Sequence, residues 1–193
     1  VAHGGKLNRS SKAAGKVRII GGVWRGRKIM LSADPDIRPT PDRVRETLFN
    51  WLQPIIEGAN CLDLYAGSGV LGFEALSRGA SSITFVEKNK KGAAMLAQQA
   101  EELGSIAHKI VCDDALNYLS SSSEQFDIVF LDPPFAENLL QNTCETLLNR
   151  GHLRSGARVY AESDSEITIA IPYTILKQAR AGKVNYVLLE CGI

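Results

Sequence analysis

The ten residues from Phe126 to Phe135, FDIVFLDPPF, place the strongest constraint on the fold of this chain. Their first half is a nearly continuous apolar run, which is typical of a parallel strand that helices cover on both faces. The run stops at Asp132, so we expect this carboxylate at the carboxyl edge of the sheet, where open α/β sheets bind their ligands. The pattern therefore predicts an α/β fold with a ligand site at the end of this strand.

The residues that follow the acid indicate what the site could bind. Pro133 and Pro134 make the turn stiff and rich in acceptors, because proline fixes φ and has no N–H to donate. A planar base with an exocyclic amino group would fit: the amino group donates to Asp132 and to the Pro133 carbonyl, and the ring stacks on Phe135. A strand that leads into a proline-rich turn with an N-cap acid is the alternative.

Strand and helix patterns alternate from Asn60 onward, which predicts βαβ units and a largely parallel sheet. The last two strands are separated by only four residues, too few for a helical crossover, so they are expected to pair antiparallel. The sequence therefore predicts a seven-stranded sheet that ends in an antiparallel hairpin. The predicted strands are 61–65, 82–87, 109–114, 126–132, 157–162, 173–179 and 184–191, and the predicted helices are 70–78, 89–103, 114–120 and 137–149.

Three different patterns precede this alternation. Residues 1–16 are polar, basic and without period, which predicts a disordered arm. VRIIGG and VWRGRKIML are two β-rich runs separated by Gly21-Gly22, which predicts a hairpin. Thr40-Pro41 is typical of the N-cap and first position of a helix. We therefore divide the chain into an arm (1–16), a hairpin and helix extension (17–56) and a main domain (57–193).

Charge is distributed unevenly along the chain. Residues 1–50 carry eleven Lys or Arg against four acids, and the remainder carries eleven against seventeen, so +7 and −6 sum to the net +1. A basic arm on an acidic body indicates a polyanionic partner. The alternative for the arm is a solvated tail without a partner. The alternative for the cations near the start of the helix is that they form salt bridges to Asp42 or Glu46. The candidate RNA-binding residues are Arg18, Arg25, Arg27, Lys28, Arg38, Arg43 and Arg45.

Other sequence signals exclude several classes of protein. The sequence contains no run of about 18 apolar residues, so no membrane span is predicted. The N-terminal residues lack the apolar segment of a secretory signal. Cys61, Cys112, Cys144 and Cys191 form no CxxC pair, so we interpret them as reduced core thiols of a cytosolic protein. The three histidines share no ligand spacing, so no metal site is predicted.

A glycine motif and a series of acids follow the predicted strands. Gly67, Gly69 and Gly72 match G-x-G-x-x-G between a strand and a helix, which suits close backbone approach to a ligand, NAD included. Glu87 ends the next strand, where an acid can bind both hydroxyls of a ribose. Asp114-Ala115 follows the third strand, where adenine would lie, although Asp114 could equally be a helix N-cap.

Asp63, four residues before the first glycine, helps to decide the ligand. A carboxylate beside a pyrophosphate would be repulsive. Beside the amino group and the positive sulfonium of S-adenosylmethionine it is favourable, and the glycine turn could then hold the methionine portion of that cofactor.

These motifs resemble those of class I S-adenosylmethionine-dependent methyltransferases, and DPPF resembles the branch that methylates amino groups. The stretches RIIGGVWRGRKI, RPTPDRVRETLFNWL, DLYAGSGVLGFEALSRGA, FVEKN and FDIVFLDPPF are together similar to the bacterial 16S ribosomal RNA guanine-N2 methyltransferase family (RsmD type). The resemblance covers about residues 17–190. It implies a Rossmann-like fold with a small N-terminal β-hairpin extension.

The resemblance also implies an activity: transfer of a methyl group from S-adenosylmethionine to the N2 amino group of one guanine in 16S rRNA. The implied partner is an assembled or nearly assembled small ribosomal subunit, and we expect a cytoplasmic monomer without metal or membrane partner. Asp132, Pro133, Pro134 and Phe135 would be catalytic. The cofactor would be bound by Asp63, Tyr65, Ala66, Gly67, Ser68, Gly69, Glu87, Lys88, Asp114 and Ala115.

Three alternatives remain open at this point. An N6-adenine DNA methyltransferase would share the DPPF chemistry, but 193 residues leave little room for a target-recognition domain. A nicotinamide-dependent reductase would share the glycine motif. A non-catalytic RNA-binding assembly factor could keep the fold, although the presence of Asp132 and Phe135 disfavours it.

Overall fold

A computed structural model of the chain describes residues 15–31, 40–134, 139–167 and 172–192. Its elements are β1 (Lys16–Arg18), β2 (Lys28–Met30), α1 (Asp42–Leu52), β3 (Asn60–Asp63), α2 (Val70–Ser77), β4 (Ser82–Val86), α3 (Lys90–Leu103), β5 (His108–Val111), α4 (Ala115–Ser121), β6 (Phe126–Leu131), α5 (Leu139–Asn149), β7 (Leu153–Ser163), β8 (Tyr173–Ala181) and β9 (Val184–Cys191).

The main sheet has seven strands in the order β5-β4-β3-β6-β7-β9-β8. The strands from β5 to β7 are parallel, whereas β9 pairs antiparallel with both β7 and β8. The predicted mostly parallel, Rossmann-like sheet with a terminal hairpin is therefore confirmed. Because the chain moves outward from β3 to β5 and then returns to β6, the order reverses between β3 and β6, which is the position where such folds place ligands.

Two apolar clusters fill the two faces of the sheet. One joins the hairpin, α1, α2 and α3 to residues such as Phe85 and Phe130, and the other joins α4 and α5 to residues such as Leu62 and Val129. Alternate residues of each strand point to opposite faces, so both faces of the central strands are apolar, as the continuous apolar run of β6 predicts.

The N-terminal hairpin is confirmed, but its predicted turn is wrong. β1 and β2 pair antiparallel over three residues each, and residues 19–27 connect them, so Gly21-Gly22 is not a two-residue turn. Backbone N–H groups of this connection bond to α2: those of Ile20 and Gly21 donate to the Glu74 carboxylate at 2.9 and 2.8 Å. A Cβ at Gly22 would lie 1.7 Å from the Ser77 carbonyl oxygen, and φ there is +74°, so the close approach requires glycine.

Helix α1 forms because Val44, Leu48, Phe49 and Leu52 recur at helical spacing and are buried on one face. Its predicted start differs slightly, since Pro41 is the N-cap and no side chain caps the helix. The Thr40 hydroxyl instead bonds to a residue of β7, described below.

The cysteine interpretation holds at three positions of four. Cys61, Cys144 and Cys191 are buried and form no disulfide, whereas Cys112, which follows the end of β5 at Val111, is exposed. The predicted arm, residues 1–16, lies almost entirely outside the described residues, and the proposed boundary between 56 and 57 stays a prediction. Across the described part of the chain, no helix is long and apolar enough to cross a membrane.

Candidate active site at the carboxyl edge of the sheet

Two predicted site residues lie at the ends of the strands that flank the reversal of strand order, Asp63 as the last residue of β3 and Asp132 directly after β6. Asp63 is the last residue of β3 and pairs in register with Phe130 of β6, so Asp132 lies one pleat further along on the same face. The fold thus brings these two carboxylates to one crevice at the carboxyl edge, as the sequence predicts.

Asp63 is a buried carboxylate with a strongly altered pKa. Only 4% of the residue is exposed, and its Oδ2 accepts a hydrogen bond from the Gly72 N–H at 3.1 Å. Burial raises the pKa of Asp63 from 3.8 to about 7; the Gly72 bond lowers it and the charge of Glu87 raises it further. A positively charged group beside Asp63 would relieve this cost of burying negative charge.

The glycine turn adopts a conformation that other residues would resist. Gly67 and Gly69 have φ of 53° and 74°, and Gly69 is the N-cap of α2. Gly72 has a packing role instead, because a Cβ there would lie 2.2 Å from the Phe85 ring. The turn is anchored on both sides: Ala66 N–H donates to the Val86 carbonyl at 3.0 Å, and the Ser68 carbonyl accepts from the Gln99 side chain at 3.2 Å.

Glu87 follows β4 and holds the same turn. Its Oε2 accepts from the Gly67 N–H at 2.9 Å and its Oε1 from the Asn89 N–H at 2.7 Å. A carboxylate has about four acceptor positions, so these two bonds leave capacity for two ribose hydroxyls. The neighbouring Lys88 is exposed.

The predicted adenine-binding pair lies at the start of α4. Asp114 is exposed and caps this helix: its Oδ1 accepts from the N–H groups of Leu116 and Asn117. The N-cap alternative is thus what the structure contains, and a role toward adenine stays a prediction. Ala115 is the buried first residue of α4, and the Tyr65 hydroxyl lies 2.7 Å from the Thr143 hydroxyl of α5.

Asp132 is half-buried and directly follows β6. Burial raises its pKa well above the ordinary value, and the negative charges of Glu162 and then Asp63 raise it further. Pro133 is buried and Pro134 exposed, while Phe135 lies outside the described residues.

Glu162 is the site residue that the sequence analysis missed. It lies near the end of β7, only 5% exposed, and its Oε1 accepts from the Tyr160 hydroxyl at 2.8 Å and the Thr40 hydroxyl at 3.0 Å. Burial raises the pKa of Glu162 as well. The sequence does contain a signal, since Glu162 ends the predicted strand 157–162 as Asp132 ends 126–132, but only the strand order makes these two ends neighbours.

The predicted RNA-binding residues divide into exposed cations and one buried one. Arg45 has no exposed surface: its guanidinium bonds to Asp42 at 2.6 Å, Glu74 at 3.3 Å and the Arg18 carbonyl at 3.0 Å. An RNA phosphate cannot reach it in this conformation, so that prediction is wrong and the salt-bridge alternative is correct. Arg38 lies outside the described residues. The exposed cations are Arg18, Arg25, Arg27, Lys28 and Arg43.

The hairpin runs along α2, away from the crevice. Its connection bonds to Ser77, the last residue of α2, where the Val23 N–H donates to the Ser77 carbonyl at 2.8 Å. An eight-residue helix is about 12 Å long. Because α2 begins at the glycine turn, at the carboxyl edge, its last residue and the nearby Arg25 lie near the amino edge of the sheet. The Arg27 guanidinium bonds to the Glu102 carbonyl near the end of α3.

The acids at the crevice fit a cationic, hydrogen-bonding ligand. Asp63 is buried, its pKa is raised, and no Lys or Arg of the described ranges pairs with it, so the sulfonium or amino group of S-adenosylmethionine suits it. No group of three or more His, Cys, Asp or Glu side chains placed to hold a metal ion occurs among those same residues.

The strand order, the glycine turn and the strand-end acids define the class of this chain as a Rossmann-like methyltransferase. The structure described as "Putative methyltransferase yhhF" from Escherichia coli matches it with a TM-score of 0.86 and 42% identity, over 92% of this chain and 99% of that one.

The particular family follows from the sequence. A family model described as "Conserved hypothetical protein 95" matches residues 17–190, and the chain belongs to that family. "Ribosomal RNA small subunit methyltransferase D" of Escherichia coli strain K12 is 42% identical over 180 residues, covering 92% of this chain and 91% of the relative. The protein of the same name from Haemophilus influenzae is 42% identical over 191 residues, covering 96% and 99%.

Proposed function

We propose that this protein transfers a methyl group from S-adenosylmethionine to the N2 amino group of a guanine in 16S rRNA of the small ribosomal subunit. The proposal depends most on two carboxylates that lie where the strand order reverses. Asp63 is suited to a cation, and Asp132 is followed by Pro133, whose carbonyl is a second acceptor for an amino group. The names of the relatives support the small-subunit RNA as substrate.

The cofactor would supply an electrophilic methyl group on a positively charged sulfur. The residues proposed to bind it surround the glycine turn: Asp63 faces the charged end, the backbone from Tyr65 to Gly69 holds the methionine portion, and Glu87 accepts from the ribose hydroxyls. Asp114 and Ala115 at the start of α4 would border the adenine.

Asp132 is proposed to act on the target amino group. The lone pair of a guanine amino group is delocalised into the ring, so an acceptor at Asp132 favours pyramidalisation of N2 and stabilises the positive charge that grows there. As the bond from sulfur to the methyl group breaks and the methyl group bonds to N2, the positive charge would move from sulfur to N2, and one N2 proton would then pass to the Asp132 carboxylate. The raised pKa of Asp132 suits this transfer, because a stronger base accepts the proton more readily.

The decisive experiment uses small subunits from a strain that lacks the protein. Incubation with the purified protein and tritiated S-adenosylmethionine should label 16S rRNA, and mapping should place N2-methylguanine at one position. Free 16S rRNA and duplex DNA are the comparison substrates. Methylation of adenine in DNA with no label in rRNA would replace this proposal with the DNA-methyltransferase alternative.

We predict that Asp132→Ala abolishes methyl transfer and largely preserves cofactor affinity, because Asp132 faces the target base rather than the cofactor. Single-turnover kinetics and calorimetry measure the two effects. Asp127→Ala is the matched control, since Asp127 lies at the amino end of the same strand, where it bonds to Asn60 and Arg154. Near-native turnover by Asp132→Ala would contradict the acceptor role.

A further inference from the structure

Asp132 has an acidic neighbour in the adjacent strand. β6 and β7 are parallel, and Leu131 pairs with Ala161, so Asp132 and Glu162 occupy the next register position at the carboxyl edge. Tyr160 and Phe130, two residues earlier in each strand, belong to the same apolar cluster, so the two acids share that face. The charge of Glu162 is also the largest charge effect on the pKa of Asp132.

The Glu162 carboxylate is held in one orientation. Both hydroxyl donors, Tyr160 and Thr40, bond to the same oxygen, Oε1, and each donor residue is itself buried, at 0% and 4% exposed. No donor from the described part of the chain bonds to Oε2. Oε2 is thus available as an acceptor for a ligand, and the two hydrogen bonds to Oε1 restrict rotation of the carboxylate.

Two neighbouring carboxylates, Glu162 buried and Asp132 half-buried, select for a ligand with two neighbouring donors. Each acid loses hydration and repels the other, and a donor at each would offset both costs. The Watson–Crick edge of guanine offers this pattern, because N1–H and the N2 amino group are adjacent donors. Adenine offers one amino donor beside N1, which is an acceptor and would face a carboxylate lone pair.

We propose that Glu162 is a specificity-determining residue that accepts the N1–H of the target guanine while Asp132 accepts from its N2 amino group. This inference rests on the function proposed above and extends it. The pair of acceptors holds the base edge at two points, which fixes the direction of the N2 lone pair. It also rejects bases that have an amino group but lack the adjacent N–H.

The test compares two substrates that differ at N1. Small subunits are reconstituted with 16S rRNA that carries either guanine or 2-aminopurine at the mapped target. 2-Aminopurine has the same amino group at C2, but its N1 is an unprotonated acceptor. The measured quantity is the ratio of kcat/KM for guanine to kcat/KM for 2-aminopurine. Because one enzyme preparation acts on both substrates, any loss of folded protein cancels.

Glu162→Gln replaces the proposed hydrogen-bond acceptor by a donor and keeps the side chain's bonds to Tyr160 and Thr40. The amide oxygen can still accept from Tyr160 and Thr40, so the amide nitrogen replaces Oε2 and presents N–H groups to N1. We expect the ratio to fall by about tenfold or more, with activity on 2-aminopurine preserved or increased and cofactor affinity by calorimetry unchanged. An unchanged ratio, or an equal loss on both substrates, would overturn the proposal.

Two further variants complete the design. Glu190→Gln is the control, because Glu190 of β9 pairs with Arg158 in the middle of β7, four residues before Glu162, and should leave the ratio as in the wild type. Tyr160→Phe leaves the carboxylate in place and removes one bond that orients it, so the ratio should fall in the same direction. If the wild type methylates guanine but neither Glu162→Gln nor Tyr160→Phe changes the ratio, the role of Glu162 is refuted and the proposed function stands. If the wild type does not methylate guanine, the proposed function itself is refuted.

Discussion

Asp63 illustrates how burial gives one residue a pH dependence. Its pKa of about 7 in the ligand-free fold means that a large part of the population is protonated at neutral pH. A cationic cofactor binds the ionised form, so binding must release a proton from the protonated fraction. Above the pKa that proton is already lost.

The affinity for S-adenosylmethionine should therefore rise with pH up to about 7 and level off above it. Calorimetry across this range, in buffers of different ionisation enthalpy, measures both the affinity and the proton release. Asp63→Asn should bind more weakly and show no such dependence. An affinity of the wild type that does not change with pH would contradict the contact between Asp63 and the charged end of the cofactor.

The same residue affects stability with the opposite sign. Because the folded pKa is raised above the ordinary 3.8, the contribution of Asp63 to stability is complete below that value and is lost as the pH rises through about 7. Relative to Asp63→Asn, the ligand-free wild type should lose Tm between these two values. A constant difference in Tm would show that burial does not perturb this acid.

Glu87→Ala should weaken cofactor binding by roughly 1.5–3 kcal/mol, because it removes a charge-assisted acceptor for the ribose hydroxyls. Glu87→Gln keeps an acceptor for the Gly67 N–H and separates support of the turn from binding of the ribose. Calorimetry measures the effect, and Glu124→Ala is a control on another part of the surface, where Glu124 pairs with Lys109. Wild-type affinity in Glu87→Ala would remove Glu87 from the cofactor site.

At the scale of elements, the hairpin and the glycine turn are joined through two helices. The Glu74 carboxylate of α2 accepts from the N–H groups of Ile20 and Gly21 and pairs with Arg45 and Arg78. Gln99 of α3 bonds to Met30 of β2 at 2.6 Å and to the Ser68 carbonyl of the turn. The hairpin is thus part of the packed domain, bonded to the helices that follow the glycine turn.

Glu74→Ala should lower the free energy of unfolding by about 3–5 kcal/mol, because it leaves the buried Arg45 with only one of its two carboxylate partners and two hairpin N–H groups without acceptors. Denaturant titration measures the loss. Glu101→Ala, an exposed position on α3, should change the stability by less than about 0.5 kcal/mol. Equal stability of both variants would show that the network contributes nothing net.

At the scale of the whole molecule, residues 1–50 carry a charge of +7, and six of the seven cations among their described residues are exposed. Arg25 and Arg27 lie toward the amino edge, while the proposed catalytic residues lie at the carboxyl edge. If this surface contacts rRNA phosphates, it would orient the subunit from about one helix length away from the catalytic edge. Such contacts would contribute little to recognition of the base sequence.

Charge reversal of Arg25 and Arg27 together should weaken binding to the small subunit and leave cofactor affinity unchanged. Each lost phosphate contact should reduce the slope of log affinity against log salt by roughly 0.7 to 0.9. Filter binding at several salt concentrations measures both quantities. Reversal of Arg150 and Lys177, two exposed cations elsewhere, should leave the slope unchanged. An equal effect of both pairs would mean that only net charge matters.

The sequence by itself determined the features that depend on local pattern. The apolar run of β6 and its terminal acid, the glycine turn after β3 and the terminal hairpin were all predictable, because each is specified by residues close together in the chain. Placing Asp63 and Asp132 at one edge needed only the rule that parallel strands end together.

Tertiary structure alone decided the residues whose partners are distant in the chain. Arg45 is buried because Glu74, 29 residues away, and the Arg18 carbonyl complete its bonds, so a cation that looks free in the sequence is enclosed. Thr40 bonds to Glu162 across 122 residues, which makes it an orienting donor rather than a helix cap. The physical reason is common to both: a polar group is buried only where folding supplies its partner, and strand order and packing place that partner.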